Sequence, residues 1–160
     1  MTDVALGFDI EAMAGDLVLA GGALTTEDGL RSAIIISVFT DARAHDDDEI
    51  PDGTANRRGW WADRVAPAML DTSIRDGRKP DRIGSRMWLL AREKQVPEVL
   101  ARAKQYLAEA LQWLVDERVA TRVDIATWIE RTGVLGWRAD ITRPDGSIGS
   151  YRFDFAWRSL

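Results

Sequence analysis

Apolar and polar residues alternate along three segments in the C-terminal third of the chain, at 123–129, 135–141 and 151–157. A period of two is typical of strands that bury one face and expose the other. In the last segment, Phe153 and Phe155 alternate with Arg152 and Asp154. The pattern therefore predicts a three-stranded antiparallel meander with one apolar face.

The charged residues on the other face predict how these strands pair. Opposite charges directly across a strand pair stabilise a sheet, whereas like charges destabilise it. One register in each hairpin satisfies this condition and keeps the apolar residues on one side. The predicted partners are Asp140 with Arg152, Arg138 with Asp154, Trp137 with Phe155, Arg122 with Asp140, and Asp124 with Arg138. A structure that pairs Arg138 with Arg152 would refute this register.

Three segments with apolar residues at helical spacing predict the main helices. Thr25 followed by Asp28 resembles a capping box, which places the first helix at about 27–41. A second helix is predicted at about 81–94. Pro97 suits a first helical turn, and the third helix, at about 97–116, has the longest apolar face. We expect the apolar face of the sheet to pack against this third helix.

The rest of the chain predicts short strands and a long loop. Alternation of Leu6, Phe8 and Ile10, and the segment 17–19 ahead of Gly21-Gly22, predict two short N-terminal strands. Proline and glycine interrupt every period between 42 and 80, and an irregular stretch of this length is usually functional or disordered. We predict a single α+β domain over 1–160, with N-terminal strands, three main helices and a C-terminal meander packed on the helices.

Composition narrows the classes of function. A chain of 160 residues, 46% hydrophobic, fits one domain with a real core. Its formal net charge of −5 argues against a general nucleic-acid binder, which needs a basic surface. The absence of cysteine excludes disulfides and thiolate nucleophiles. The first ten residues do not resemble a secretion signal, and no apolar run approaches the ~20 residues of a membrane-spanning helix.

Few residues of the sequence are candidates for catalysis or metal binding, and their spacing supports neither role. His45 is the only histidine and is expected to be a solvated loop residue. The acidic run 46–49 with Asp52 could hold a hard cation, but it lacks the spacing of a calcium loop, so a solvated acidic loop is the expected state. Glu93 and Asp63 are the least arbitrary carboxylates for glycoside hydrolysis. We therefore predict no catalytic residue, no cofactor and no metal ligand.

Arg57, Arg58, Trp60 and Trp61 are the predicted partner-binding residues. Arginine and tryptophan are the residues most enriched at protein–protein hot spots. Two adjacent tryptophans point in different directions, so one can enter the core while the other faces elsewhere. The alternative is that both indoles anchor the long loop on this domain's own core.

Five blocks of the sequence resemble the tail baseplate wedge family of Mu-like bacteriophages and prophages, in family order over most of the chain. They are "DGLRSAIIISVFTDARA" (28–44), "RRGWWAD" (57–63), "GSRMWLLAREKQ" (84–95), "ALQWLVDERVA" (110–120) and "RPDGSIGSYRFDFAW" (143–157). The Arg-Arg-Gly-Trp-Trp block is the most specific. The family usually has a glycine after the helix that ends near Asp116, where this chain has Glu117 and Arg118, and Ala62 stands where glycine is common.

The resemblance implies a structural role. The family is similar to the small wedge proteins of contractile phage tails, which are often described as lysozyme-like. Several copies are implied in the virion tail baseplate, in contact with other wedge, tube and sheath-initiating proteins, after synthesis in the cytoplasm of the bacterial host. We predict a non-enzymatic subunit that contacts neither nucleic acid nor membrane. The alternatives are a tail-associated muramidase and a soluble adaptor that binds a host regulator.

Overall fold

The computed structural model describes residues 3–9, 12, 14–27, 29–60, 83–94 and 96–156. The chain has the predicted α+β architecture, with N-terminal strands, helices and a C-terminal sheet. The strands are β1 (Asp3–Val4), β2 (Leu6–Asp9), β3 (Ala14–Leu17), β4 (Leu19–Ala20), β5 (Ala23–Leu24), β6 (Thr26–Glu27), β7 (Arg122–Arg131), β8 (Val134–Thr142) and β9 (Ile148–Ala156). The helices are α1 (Arg31–Phe39), α2 (Pro97–Leu111) and the one-turn α3 (Trp113–Asp116). No helix in these ranges is long and apolar enough to cross a membrane.

The N-terminal segment forms three small antiparallel ribbons rather than two strands. β1 pairs with β6, β2 with β3, and β4 with β5. The ribbons meet where Ala5, Val18 and Thr25 join in a ring of backbone hydrogen bonds of 2.9–3.0 Å. Gly21 and Gly22 supply the two positive φ angles, 58° and 80°, of the tight turn between β4 and β5. The sequence located the turn correctly, but it did not show how the flanking residues pair.

Helix α1 begins later than predicted, and the capping box is wrong. Leu30 precedes the helix without a side-chain cap, and its N–H donates to the hydroxyl of Tyr151 at 3.1 Å. The Thr25 hydroxyl instead donates to the carbonyl of Val18 in the junction of the ribbons. Strand β6 occupies Thr26–Glu27, so the helix cannot begin at 27. The residue that precedes α1 is instead held by Tyr151 of β9.

The helix predicted at 81–94 is wrong. The part of this segment that the structure describes contains only a 3₁₀ turn at Met87–Leu90, whose four side chains are all buried. Gly84, at φ 112°, lies against the backbone around Thr40, and Ser85 forms a parallel bridge with Asp41. The extended stretch before the turn is therefore held by backbone pairing. Of the three main helices predicted, the described residues contain two, α1 and α2.

The third predicted helix is confirmed as α2 with its short continuation α3. The apolar side chains on its inner face are buried, with Ala103, Leu107 and Leu111 at 0% exposure. After α3 the chain leaves the helix through Arg118, which has φ 59° in the left-handed region. Arginine is disfavoured in this conformation, which glycine adopts without a steric penalty.

The apolar face of the meander is buried as predicted. Phe153 and Phe155 are 6% and 9% exposed, and Trp137 is completely buried. Helix α2 packs over β7, where the Thr127 hydroxyl donates to the carbonyl of Leu100. The β9 half of the face packs against α1 instead, through ring contacts of Phe39 with Phe153 and Phe155. Both helices therefore cover the sheet.

The predicted strand register is wrong by two residues in each hairpin. Arg138 lies opposite Arg152, and Asp124 lies opposite Asp140. The turn at 143–147, closed by a 2.8 Å hydrogen bond from the Arg143 N–H to the Ser147 carbonyl, places Thr142 opposite Ile148 and so sets the second hairpin. The remaining observed pairs of the predicted residues are Arg122 with Thr142, Ala126 with Arg138, Gly136 with Asp154, Trp137 with Phe153, Asp140 with Ser150, and Leu135 with Phe155. Turn geometry outweighed cross-strand charge, and a shift of two residues kept the apolar face intact.

Candidate docking site

Residues 41–60, which we call the docking loop, run from the end of α1 toward Trp60. The segment 42–60 contains no helix or strand. Backbone hydrogen bonds tie the loop at two places: the Ala42 N–H donates to the Ser85 carbonyl, and the Ala44 N–H donates to the Arg57 carbonyl, at 2.9 and 3.0 Å. The indole N–H of Trp88 also donates to the Ala42 carbonyl at 2.8 Å. The loop is thus fastened to the 3₁₀ segment and to itself.

A buried arginine anchors the middle of the loop. Arg86 donates through one terminal nitrogen to both carboxylate oxygens of Asp48, at 2.9 Å each. Its other two nitrogens donate to one oxygen of Glu109 on α2, at 2.6 and 3.2 Å. The guanidinium lies 4.5 Å from the centre of the Tyr106 ring. Arg86 therefore links the acidic loop to the longest helix.

The charges in this cluster stabilise one another. Burial raises the pKa of Asp48, but hydrogen bonds from Arg86 and the His45 amide, with the positive charge of Arg86, outweigh burial and hold that pKa below its usual value. Burial lowers the pKa of Arg86, but the hydrogen bonds to Glu109 and Asp48 raise it above its ordinary value. The predicted solvated acidic loop is therefore wrong for Asp48, whose side chain is only 12% exposed.

Arg57 folds back onto the loop that carries it. Its guanidinium donates to the backbone carbonyls of His45 and Asp46, and one nitrogen lies 3.8 Å from the Asp46 carboxylate. The His45 N–H in turn donates to Asp48 at 2.7 Å. Contacts therefore connect Arg86 to Arg57 through Asp48 and His45. Arg57 directly precedes Arg58 in the sequence.

Arg58 and Trp60 lie at the surface of the same region. The chain turns sharply there, because Arg58 has φ 49° and Gly59 has φ 105°, and a side chain on Gly59 would meet the Cβ of Arg43 at 3.0 Å. The Arg58 guanidinium pairs with Asp41 at 2.7 Å and lies 4.5 Å from the centre of the Trp88 ring. Trp60 is partly buried. Trp61 lies outside the described residues.

A cleft of about 660 Å³ opens between the end of α1, the docking loop, the 3₁₀ turn and β9. Its walls combine aromatic rings with polar groups. The aromatic residues are Phe8, Phe39, Trp60, Trp88 and Phe155, and the polar ones are Thr40, Asp41, Arg58 and Ser85. The rings of Phe8 and Phe39 are stacked, with centroids 3.6 Å apart. The structure thus brings Arg58 and Trp60 together at a cleft with aromatic and polar walls, whereas the polar groups of Arg57 are used within the loop.

The other predicted residues do not form a reactive site in the described part of the chain. His45 is exposed, and Glu93 forms an ion pair with Arg102. Asp63 lies outside the described residues. Across the residues that the structure describes, no three histidine, aspartate or glutamate side chains are grouped so that they could hold a metal ion.

Sequence reasoning missed Arg86 and Trp88. Both lie in the segment predicted as a helix at 81–94, and neither was given a role. One signal was present: Arg86 directly precedes the apolar run Met87–Leu90. An arginine beside four consecutive apolar residues is either exposed at a boundary or buried with carboxylates, and only the fold distinguishes these states.

Comparison with known proteins gives consistent matches. The family model described as Phage protein GP46 matches residues 30–148. A relative from Escherichia phage Mu, called Baseplate protein gp46, is 40% identical over 146 residues, which cover 91% of this chain and 92% of the relative. A relative from Haemophilus influenzae, called Mu-like prophage FluMu protein gp46, is 38% identical over 143 residues, covering 89% and 90%.

Proposed function

The chain belongs to the Phage protein GP46 family, and on that premise we propose that it acts in the baseplate wedge of a contractile tail, where Arg58, Trp60 and Trp61 dock onto a neighbouring subunit. The family supports a structural subunit of a phage baseplate, in agreement with the resemblance of the sequence. The finer parts of the proposal, which are the wedge position, the contractile tail, the assembly without enzymatic activity and the docking residues, rest on that resemblance and on the site.

The observation that carries the docking proposal is the position of Arg58 and Trp60 on the cleft. An arginine and a tryptophan beside a cavity with five aromatic lining residues have the composition of an interface hot spot. Arg58 is 40% exposed on its side chain, and its stacking on Trp88 fixes the direction of the guanidinium. A partner that inserts an apolar side chain into the cleft would contact both residues without a change in the loop.

Arg57 is proposed to support the site rather than to contact the partner. Its guanidinium donates to two loop carbonyls, and its side chain is 27% exposed. Loss of Arg57 would free the loop backbone ahead of Arg58 and Trp60. For the muramidase and adaptor alternatives, no contact among the described residues adds support.

The test is co-expression with the baseplate proteins encoded by adjacent genes, followed by purification and measurement of binding. Trp60→Ala and Trp61→Ala are made singly. Arg58→Lys replaces the planar guanidinium group with an ammonium group and keeps the positive charge. We expect Trp60→Ala to weaken binding by ~2 kcal/mol or more, about thirtyfold. Its free energy of unfolding should change by less than the ~3–5 kcal/mol that a core tryptophan contributes.

Two controls match these changes. Trp113→Ala removes another partly buried indole, which donates to the Ser37 hydroxyl and does not line the cleft. Arg102→Lys makes the same change as Arg58→Lys at an exposed ion pair on α2. Both controls should keep binding. The docking proposal fails if both tryptophan variants at 60 and 61 bind at wild-type strength, or if both lose the stability of a core residue.

A further inference from the structure

The exposed face of the C-terminal sheet carries its charges in rows that cross the strands. Asp124 on β7 lies opposite Asp140 on β8, which makes an acidic row. Two residues along β8, Arg138 lies opposite Arg152 on β9, which makes a basic row. Each row covers two of the three strands, because Ser150 continues the acidic row on β9 and Ala126 continues the basic row on β7. The two rows overlap on β8, where Arg138 and Asp140 alternate in sign.

Within one copy, each of these charges is neutralised by contacts that leave it accessible. Arg138 pairs with Asp140 at 3.0 Å on its own strand, and Arg152 pairs with Glu130 at 2.7 Å. The arginine side chains remain 50% and 59% exposed. Like charges directly opposite each other still cost stability. Places where a sequence breaks such a local rule are expected to be functional.

We propose that this face binds the same face of a second copy of the chain. A half-turn about an axis parallel to the rows lays each strand on the same strand of the second copy, so the opposite charges that meet are those on β8, whereas Arg152 meets Ser150 and Asp124 meets Ala126. With that axis at the level of Ala139 on β8, Arg138 of each copy faces Asp140 of the other, so the contact occurs twice. Any two-fold axis that runs along the strands would instead place each row on a row of the same sign.

The size of the surface predicts how strong this pairing is. Three strands of nine or ten residues give a footprint of roughly 30 by 14 Å. That footprint is well below the ~800 Å² per partner of a standard stable interface. The dimer is therefore weak in dilute solution, is held by charge, and forms at high local concentration. It uses no residue of the docking site and does not depend on the proposed function.

Sedimentation equilibrium of the purified chain tests the proposal. At an ionic strength of about 0.02 M we expect a reversible dimer as the protein concentration approaches about 1 mM. Association should weaken at least roughly tenfold at about 0.5 M, where exposed charges are screened. Melting temperatures confirm that each variant is folded.

Paired charge reversals identify the surface. Arg138→Glu and Asp140→Arg should each abolish dimerisation, because each places like charges at both symmetric contacts. An equimolar mixture of the two variants should dimerise again, since the carboxylate introduced at 138 then faces the guanidinium introduced at 140. Lys104→Glu, an exposed change of the same sign on α2, should leave association unchanged.

Three results would overturn the proposal. The first is a wild-type chain that remains monomeric at about 1 mM and low salt. The second is wild-type dimerisation with no recovery in the mixture of variants. The third is binding of a different baseplate subunit to this face, blocked by Arg138→Glu, in a wild-type chain that does not pair with itself.

Discussion

Removing the Asp48 carboxylate tests whether the buried arginine holds the docking loop to the helices. In the native chain Arg86 is 9% exposed and shares its charge between Asp48, at 12% exposure, and Glu109, at 42%. Breaking a buried ion pair by removing one partner typically costs ~3–5 kcal/mol, because the remaining charge is left without compensation. Here Glu109 still compensates at 2.6 Å. We therefore expect Asp48→Ala to cost ~2–3 kcal/mol.

Two further variants calibrate this value. Glu109→Ala leaves both hydrogen bonds from Arg86 to Asp48 in place and removes a more exposed group, so we expect ~1 kcal/mol. Glu93→Ala removes the carboxylate of an ion pair whose side chains are 44% and 42% exposed, so we expect ~0.5 kcal/mol or less. The expected order of destabilisation is Asp48→Ala, then Glu109→Ala, then Glu93→Ala.

Urea unfolding followed by circular dichroism at pH 7 measures these differences from the midpoints, provided that the slopes agree. For a chain of this size, ~2–3 kcal/mol corresponds to a loss of roughly 4–12 °C in melting temperature. The reasoning would be refuted if Asp48→Ala and Glu93→Ala were equally destabilising. Cleavage of the docking loop by a protease should also accelerate in Asp48→Ala, because the anchored backbone is released.

The pKa of Asp48 adds a dependence on pH whose sign follows from the structure. Its pKa is lower in the folded chain than the ordinary value of 3.8. The unfolded chain therefore binds more protons, and the stabilisation is fully present above about pH 4. It is lost as the pH falls through the lowered folded pKa. The difference between wild type and Asp48→Ala should accordingly shrink on acidification, and a constant or growing difference would contradict the ion pair.

Two backbone predictions complete the set. Gly84→Ala should lower the free energy of unfolding by more than ~2 kcal/mol, because φ is 112° there and the new Cβ would lie 2.6 Å from the Thr40 carbonyl oxygen. Gly146→Ala, at φ 83° with open space, should lower it by only ~1 kcal/mol. Equal losses of stability in thermal unfolding would contradict the steric argument. Arg118→Gly should stabilise the chain by ~0.5–1 kcal/mol, because glycine adopts φ 59° without a penalty, and a lower melting temperature would disprove it.

Periodicity predicted the elements that bury one face. The meander and helix α2 were both confirmed, since alternation in Phe153 and Phe155 and the 3–4 spacing around Leu107 and Leu111 reflect burial directly. The helix predicted at 81–94 was wrong because this segment lacks such a period. Four consecutive buried residues, Met87–Leu90, carry no period that separates a 3₁₀ turn from an α-helix.

The candidate site was predicted in part. Arg58 and Trp60 were recognised by composition, and the structure places both at the cleft. Their docking role stays a prediction. Asp48 and Arg86 were not paired in advance, because they lie 38 residues apart and neither the acidic run nor the apolar run indicates the other.

By itself, the sequence determined the apolar face of the meander, the long helix α2, and the family to which the chain belongs. These properties depend on residue type and local spacing. Tertiary structure alone decided the strand register, where a turn outweighed the charges of Arg138 and Arg152. It likewise decided the start of α1, where the Leu30 N–H donates to the Tyr151 hydroxyl of β9. It also decided that Asp48 is buried rather than solvated. Each of these outcomes is a contact between groups distant in sequence, and its free energy exists only once the core has brought them together.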